Sequence, residues 1–198
     1  MPALVNQAKS SAATVSPREF FLEWMMSTAP FAFRSANESY ANFKSELSTL
    51  LEVHSADLLL VGSGQLGFSL NPTQLLRDFR PGSDLDVAVI SPILFEAAWL
   101  NLLEIRDQVR MLDAGERHRF KKTRENFFDG YLRPDMLPTE CALKTAWFPR
   151  LAGPFRTPLA TKHQVTAWLF RSWWHVEAFY CDAITRVQPQ IRKLLEQE

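Results

Sequence analysis

Cysteine, net charge and long apolar runs are all scarce in this chain of 198 residues, and each shortage closes off a class of protein. With only Cys141 and Cys181 there is neither a disulfide framework nor a thiolate metal spacing, which favours a reducing compartment. Basic and acidic side chains balance at 22 each, so no global field draws the chain to nucleic acid or to an anionic membrane. No run of 18 apolar residues exists to span a bilayer, and the N-terminus lacks the charged-then-apolar pattern of a signal peptide. There is no internal repeat, and no nucleophile–His–Asp grouping that spacing supports. The expectation is a soluble, cytoplasmic protein with no membrane partner. Its 46% hydrophobic content suffices for a packed core.

What is present centres on residues 58–91, LLLVGSGQLGFSLNPTQLLRDFRPGSDLDVAVIS. Leu58 to Val61 is a short, unbroken, β-prone run, as expected of a strand covered on both faces. It stops at Gly62-Ser63-Gly64, residues suited to a tight turn whose backbone N–H groups can meet an anion. Leu85 to Ile90 is valine-rich and has no room for helical periodicity before Pro92, so it reads as a second strand. Residues two apart in a strand share a face, which puts Asp84 and Asp86 on one side, ~6–7 Å apart at Cα. Two adjacent carboxylates repel unless a hard cation such as Mg²⁺ or Mn²⁺ holds them together.

The glycines permit two other readings. Gly62, Gly64 and Gly67 spell G-x-G-x-x-G, with Asp84 following at the distance of a dinucleotide-binding fingerprint. In that fold the acid ends the second parallel strand, whereas both aspartates here stand at the start of theirs. An antiparallel pair instead brings Ser63 to Asp84 and Asp86, and Asn71-Pro72 and Pro81-Gly82 leave little helix for a crossover. A P-loop reading fails at Phe68, which stands where lysine is needed.

Gly62-Ser63, a spacer and then Ser83-Asp84-Leu85-Asp86-Val87 together resemble the signature of the polymerase-β-type nucleotidyltransferase superfamily. The resemblance implies an α/β (α+β) fold, a nucleotidyltransferase-like mixed sheet flanked by helices with a helical C-terminal region. It also implies that Gly62, Ser63 and Gly64 hold a nucleoside triphosphate and that Asp84 and Asp86 bind Mg²⁺ (or Mn²⁺) and act in catalysis. A third carboxylate on a later strand belongs to the same pattern. Asp135 is the metal-binding candidate for it, with Glu140 the alternative. The implied reaction moves a nucleoside monophosphate from an NTP to a hydroxyl on RNA, protein or a small molecule. The alternative is a catalytically weak or inactive protein of the same fold, an antitoxin-like or defence-system subunit that binds without turnover.

Along the chain, residues 1–15 are small and polar and are expected to fray. Ser16-Pro17-Arg18-Glu19 has the form of a capping box with proline at the first helical position. That helix, with Phe20, Phe21, Trp24 and Met25 on its apolar face, is expected to end near Pro30. A second runs from about Asn37 to His54, and a third starts at Ser91-Pro92 and continues towards Met111. In ERHRFKKTRE, Arg117, Lys121 and Arg124 share a helical face, and Arg117 and Lys121 are candidates for contacting the triphosphate. Residues 129–160 hold five prolines and read as irregular chain packed over the sheet. From Thr161 the apolar spacing predicts a helix ending near Gln188-Pro189, whose aromatic stripe serves as core or as an interface to a protein partner or second copy. The domain organisation is therefore a tail of 1–15, a nucleotidyltransferase-like unit over 16–160 and a helical region over 161–198.

Overall fold

Strand pairing decides the architecture of the computed structural model, which describes residues 2–34, 39–153 and 155–197. In chain order the helices are α1 (Pro2–Thr14), α2 (Pro17–Phe20, continued by a π-helical stretch, Phe21–Ser27) and α3 (Tyr40–Leu51). Strand β1 (Leu58–Val61) is followed by α4 (Gly62–Leu66), β2 (Leu85–Ile90), α5 (Pro92–Ile105) and α6 (Ala114–Phe128). Then come β3 (Tyr131–Leu132), α7 (Ala142–Leu151), α8 (Pro158–Lys162), β4 (Val165–Phe170) and α9 (Trp173–Leu195). The sheet order is β1-β2-β4-β3. β1 and β2 are antiparallel with Val61 opposite Asp86, β2 and β4 are parallel with Asp86 opposite Thr166, and β3 closes the far edge antiparallel to β4. This is a mixed α+β fold, and the antiparallel first pair removes the dinucleotide-binding topology.

Alternation of side chains splits the interior into two cores. Leu60, Val87, Val89, Ala167 and Leu169 face α3, α5 and α7, meeting Phe43, Leu47, Phe95, Leu102 and Trp147. Leu59, Val61, Ala88, Ile90 and Phe170 face the other way, towards Val5, Ala8, Phe20, Trp24, Val176 and Ile184 of α1, α2 and its continuation, and α9. The caps form as their residues dictate. Ser16 and Glu19 make a reciprocal capping box, and Ser91 Oγ accepts from the Leu94 N–H.

Four expectations need correction. The N-terminal segment is helical: Val5, Ala8 and Ala12 are buried, and their small side chains let α1 lie close against α9. Gln188 Nε2 donates to the Ala12 and Val15 carbonyls and Arg192 Nε to that of Ala13, tying the two together. The segment from Thr161 is not one helix, because Val165–Phe170 enters the sheet between β2 and β3, so the C-terminal region supplies a central strand. α9 starts only at Trp173 and runs through Pro189 to Leu195, held there by buried Val187 and Ile191. Residues 129–160 contain a strand and two helices, α7 carrying Pro149 within it. The helix expected from Asn37 begins at Tyr40, and Asn37 itself lies outside the described residues. The C-terminal aromatic stripe is half-buried against the sheet: Phe179 packs edge-on against Tyr131, Trp168 and Phe170, while Trp174 is 71% exposed. No helix among the described residues is long and apolar enough to cross a membrane.

Candidate functional site

β1 ends where β2 and β4 begin, so three strand ends meet at one edge of the sheet. There the chain leaves β1 through Gly62, whose φ of +63° belongs to the left-handed region, into the single turn and a half of α4. A Cβ built on Gly62 would lie 2.7 Å from Asp86 Oδ2, so only glycine lets the backbone come this close to the carboxylate. Ser63 is the second residue of α4, and its carbonyl accepts from the Gly67 N–H at 2.8 Å. The long spacer then folds back on itself: Ser69 and Leu76–Arg77 exchange backbone hydrogen bonds, and a bridge joins Phe68 to Asp78.

Asp86 is half-buried on the α9 face of β2, where the Thr166 hydroxyl donates to its Oδ1 at 2.5 Å. Burial pushes the Asp86 carboxyl above its ordinary value, the Thr166 bond opposes this, and the charge of Asp84 adds to the rise. Tyr180 of α9 belongs to the same neighbourhood. Burial drives its phenol well above the usual range, and the Asp86 charge adds to that. Asp84 stands exposed one step before β2. Its predecessor Ser83 is buried, anchored by a 3.2 Å bond from the Arg80 N–H to its Oγ and by a 2.6 Å contact of its carbonyl with His163 Nδ1. His163 in turn stacks on Phe79.

These groups line a cavity of about 1380 Å³. Gly62, Ser63, Asp84, Asp86 and Thr166 form its polar wall, with Arg77, Arg133 and His163 also at its surface. The pairing expected of Ser63 with the two aspartates is therefore present. The other expected groups are not all assembled there. Asp135 lines the cavity, but Arg133 Nη2 holds its Oδ2 at 2.7 Å while the same guanidinium covers the Trp168 ring at 4.7 Å. Glu140 is exposed and does not line it. Among the described residues no three His, Cys, Asp or Glu side chains converge to hold a metal ion, so Asp135 does not complete a triad with Asp84 and Asp86.

Arg117 and Lys121 do sit on α6 as the spacing required, but α6 packs against β3 and the turn beyond it, and neither residue lines the cavity. Their charge block is relieved within the helix instead. Arg119 pairs with Glu116, Lys122 with Glu125, and Arg117 Nη1 donates to the Leu112 carbonyl. Thr166, Tyr180, Arg77, Arg133 and His163 were all missed from sequence. For Thr166 the local signal was weak, a short run rich in β-branched and aromatic residues that helical spacing also accommodates. Nothing local distinguishes Tyr180 or His163.

The residues present fit one hard cation and not two. Two carboxylates with the Ser63 and Thr166 hydroxyls nearby make an oxygen-only donor set, and the raised pKa of Asp86 marks a charge that a cation would compensate. Protein-family models, curated proteins and solved structures give no match to this chain.

Proposed function

We propose that the cavity binds a nucleoside triphosphate with a divalent cation, and that the reaction its polar wall supports is nucleotidyl transfer to a hydroxyl. The observation that carries this reading is the antiparallel register. By setting Val61 opposite Asp86 it delivers the Gly62-Ser63 turn and both aspartates to one end of one strand pair. Asp84 and Asp86 would hold the cation, which would neutralise phosphate charge and acidify a bound hydroxyl. Ser63 orients the phosphates with the N–H groups of its turn, and Arg77 adds positive charge at the mouth. In the transfer the acceptor oxygen bonds to the α-phosphorus as the bond from that phosphorus to the bridging oxygen breaks. Pyrophosphate leaves with the electron pair, and the hydroxyl proton passes to solvent.

A second reading, binding without turnover in an antitoxin-like or regulatory subunit, is favoured by one feature. The register position beside Asp86 on β4 is Thr166, a neutral hydroxyl where a third carboxylate would bring a second cation within reach.

Thermal unfolding with each of the four NTPs and Mg²⁺ or Mn²⁺ tests the shared part. A ligand at 100 times its dissociation constant adds about 2.7 kcal/mol, and Asp84→Asn with Asp86→Asn should remove the gain. No shift with any NTP would reject both readings. Incubation with NTPs labelled at the α-phosphate then separates them: label on protein, RNA or small products selects transfer, and stabilisation without label selects binding.

A further inference from the structure

Arg117, Lys121, Arg124 and Phe128 are spaced four, three and four residues apart on α6, so they stand in one row along the helix. All four are exposed, Phe128 at 92%. The row is about 16 Å long at about 1.5 Å per residue. The ion pairs within α6 join Arg119 to Glu116 and Lys122 to Glu125, and among the described residues they leave Lys121 and Arg124 without a carboxylate. The row ends where α6 comes up against the start of α9. There the Gly130 carbonyl accepts from the Arg171 N–H at 3.0 Å, and a Cβ on Gly130 would run into the His175 ring. Trp174 sets its own ring edge-on to His175, with centroids 5.0 Å apart. Phe128 and Trp174, the two most exposed of the Phe, Tyr and Trp side chains among the described residues, therefore flank one junction, and the exposed Arg171 belongs to it. A single apolar side chain in water is ordinary, but two rings at the end of a row of cations form a composite surface.

That composition selects among occupants. A single-stranded nucleic acid uses both parts, cations for its phosphates and ring faces for its unstacked bases. A duplex keeps its bases stacked inward and leaves the rings idle, and an acidic peptide uses the cations alone. A membrane-surface helix carries its apolar residues on the face opposite its cations. In α6 Phe128 stands in line with the cations, and Phe120 is turned into the core. The carboxylate of Asp129 lies at the junction and repels phosphate, which assigns that end to base faces. The chain has no net charge, so any attraction for a polyanion is local to this row.

We propose that α6 and the start of α9 form a surface for single-stranded nucleic acid, with phosphates along Arg117, Lys121 and Arg124 and bases against Phe128 and Trp174. None of these five residues lines the cavity, so the surface is separate from the nucleotide site and does not depend on the transfer reading. Phosphates and base faces are common to RNA and DNA, and both kinds of strand should bind alike.

Fluorescence anisotropy of the full chain with labelled single-stranded dodecamers, one of RNA and one of DNA, tests this beside the matching duplex. Both single strands should bind more tightly than the duplex. Log affinity against log salt should fall with a slope of about −2, from about −0.7 for each of three cations. Lys121→Gln with Arg124→Gln should flatten that slope to about −0.7. Phe128→Ala with Trp174→Ala should weaken binding at least about fivefold at every salt concentration and leave the slope unchanged. All four substituted residues are exposed, so both double variants should keep the native unfolding transition. Saturating ATP with Mg²⁺ should not displace the strand; displacement would put the strand in the cavity and overturn the proposal. Equal binding of duplex and single strand, a slope indifferent to the cations, or an affinity indifferent to the rings would also overturn it. So would failure of both strands to bind, and phosphatidylserine vesicles bound in their place would mark a membrane surface instead.

Discussion

At one end of the sheet Leu58, Val89, Leu169 and Phe170 are each 1% exposed or less; at the other, the same strands present Asp86 and Thr166 to a cavity. At the closed end β1, β2 and β4 contribute only apolar side chains, and the one hydroxyl from the strands, that of Tyr131 on β3, donates to Asn126 Oδ1. Its neighbours are the staggered apolar rows of α3 and α5 on one face and of α2, its π-helical continuation and α9 on the other. The open end has a left-handed glycine, a half-buried carboxylate, a phenol with a raised pKa and an indole donor without a partner. The glycine, the carboxylate and the unpartnered indole each cost stability where they stand. The difference teaches how the fold is divided, with cohesion concentrated where the strands run together and polar groups gathered where β1 stops and β2 and β4 begin.

Truncating the closed end should have the largest effect. Leu169→Ala removes a fully buried side chain from the central pair and should cost about 2–5 kcal/mol in denaturant unfolding. A loss below about 1 kcal/mol would mean that cohesion lies elsewhere. Next in size is Gly62→Ala, which forces a side chain into φ +63° and against Asp86 Oδ2. The expected loss is about 1–3 kcal/mol, together with any stabilisation by NTP and Mg²⁺. A variant with native stability would show that the turn relaxes freely.

The open end should also contain a substitution that stabilises. Asp86→Asn keeps an oxygen for the Thr166 hydroxyl and removes a charge that burial and Asp84 disfavour. We expect a gain of about 0.5–2 kcal/mol in the absence of nucleotide, with loss of the nucleotide-dependent shift. The pH dependence has a definite sign. The folded carboxyl titrates above its unfolded value, so the ionised group costs stability at neutral pH. That cost shrinks as pH falls through the folded value and vanishes below the unfolded one. Melting curves of the native protein and Asp86→Asn should therefore converge on acidification, and a gap that widened would contradict the assignment.

How much of this was legible followed the range of the interactions. The antiparallel pair and its turn were readable because the evidence was local: a short apolar run, glycines, and aspartates at the start of the next run, not at its end. β4 was not, because Val165, Trp168, Leu169 and Trp173 also satisfy helical spacing, and only pairing with β2 and β3 selects the strand. α1 reads as a polar tail because alanine gives a weak signal, and its burial depends on α9 lying some 170 residues on. Pro189 looks like a stop until Val187 and Ile191 are seen anchored on either side of it. Of the site, the turn and the carboxylate pair were visible and their companions were not, since Thr166 and Tyr180 reach them only through the tertiary fold.

The smallest predicted effect concerns the cations. Five positive charges within eight residues suggested an anion site on α6, yet Arg117 and Lys121 lie off the cavity while Arg77, in the spacer, lines it. Arg77 is exposed, so its attraction to a triphosphate is screened, and removing it should cost about 0.2–1 kcal/mol. Affinity for ATP with Mg²⁺ should thus fall by no more than about fivefold in Arg77→Gln. The penalty should shrink as salt is raised, because the Debye length contracts from about 10 Å at 0.1 M to about 3 Å at 1 M. Arg117→Gln with Lys121→Gln should leave the affinity unchanged at either ionic strength. If the α6 double variant weakened binding more than Arg77→Gln did, the phosphates would have to lie against α6, and the open end of the sheet would lose its claim to the nucleotide.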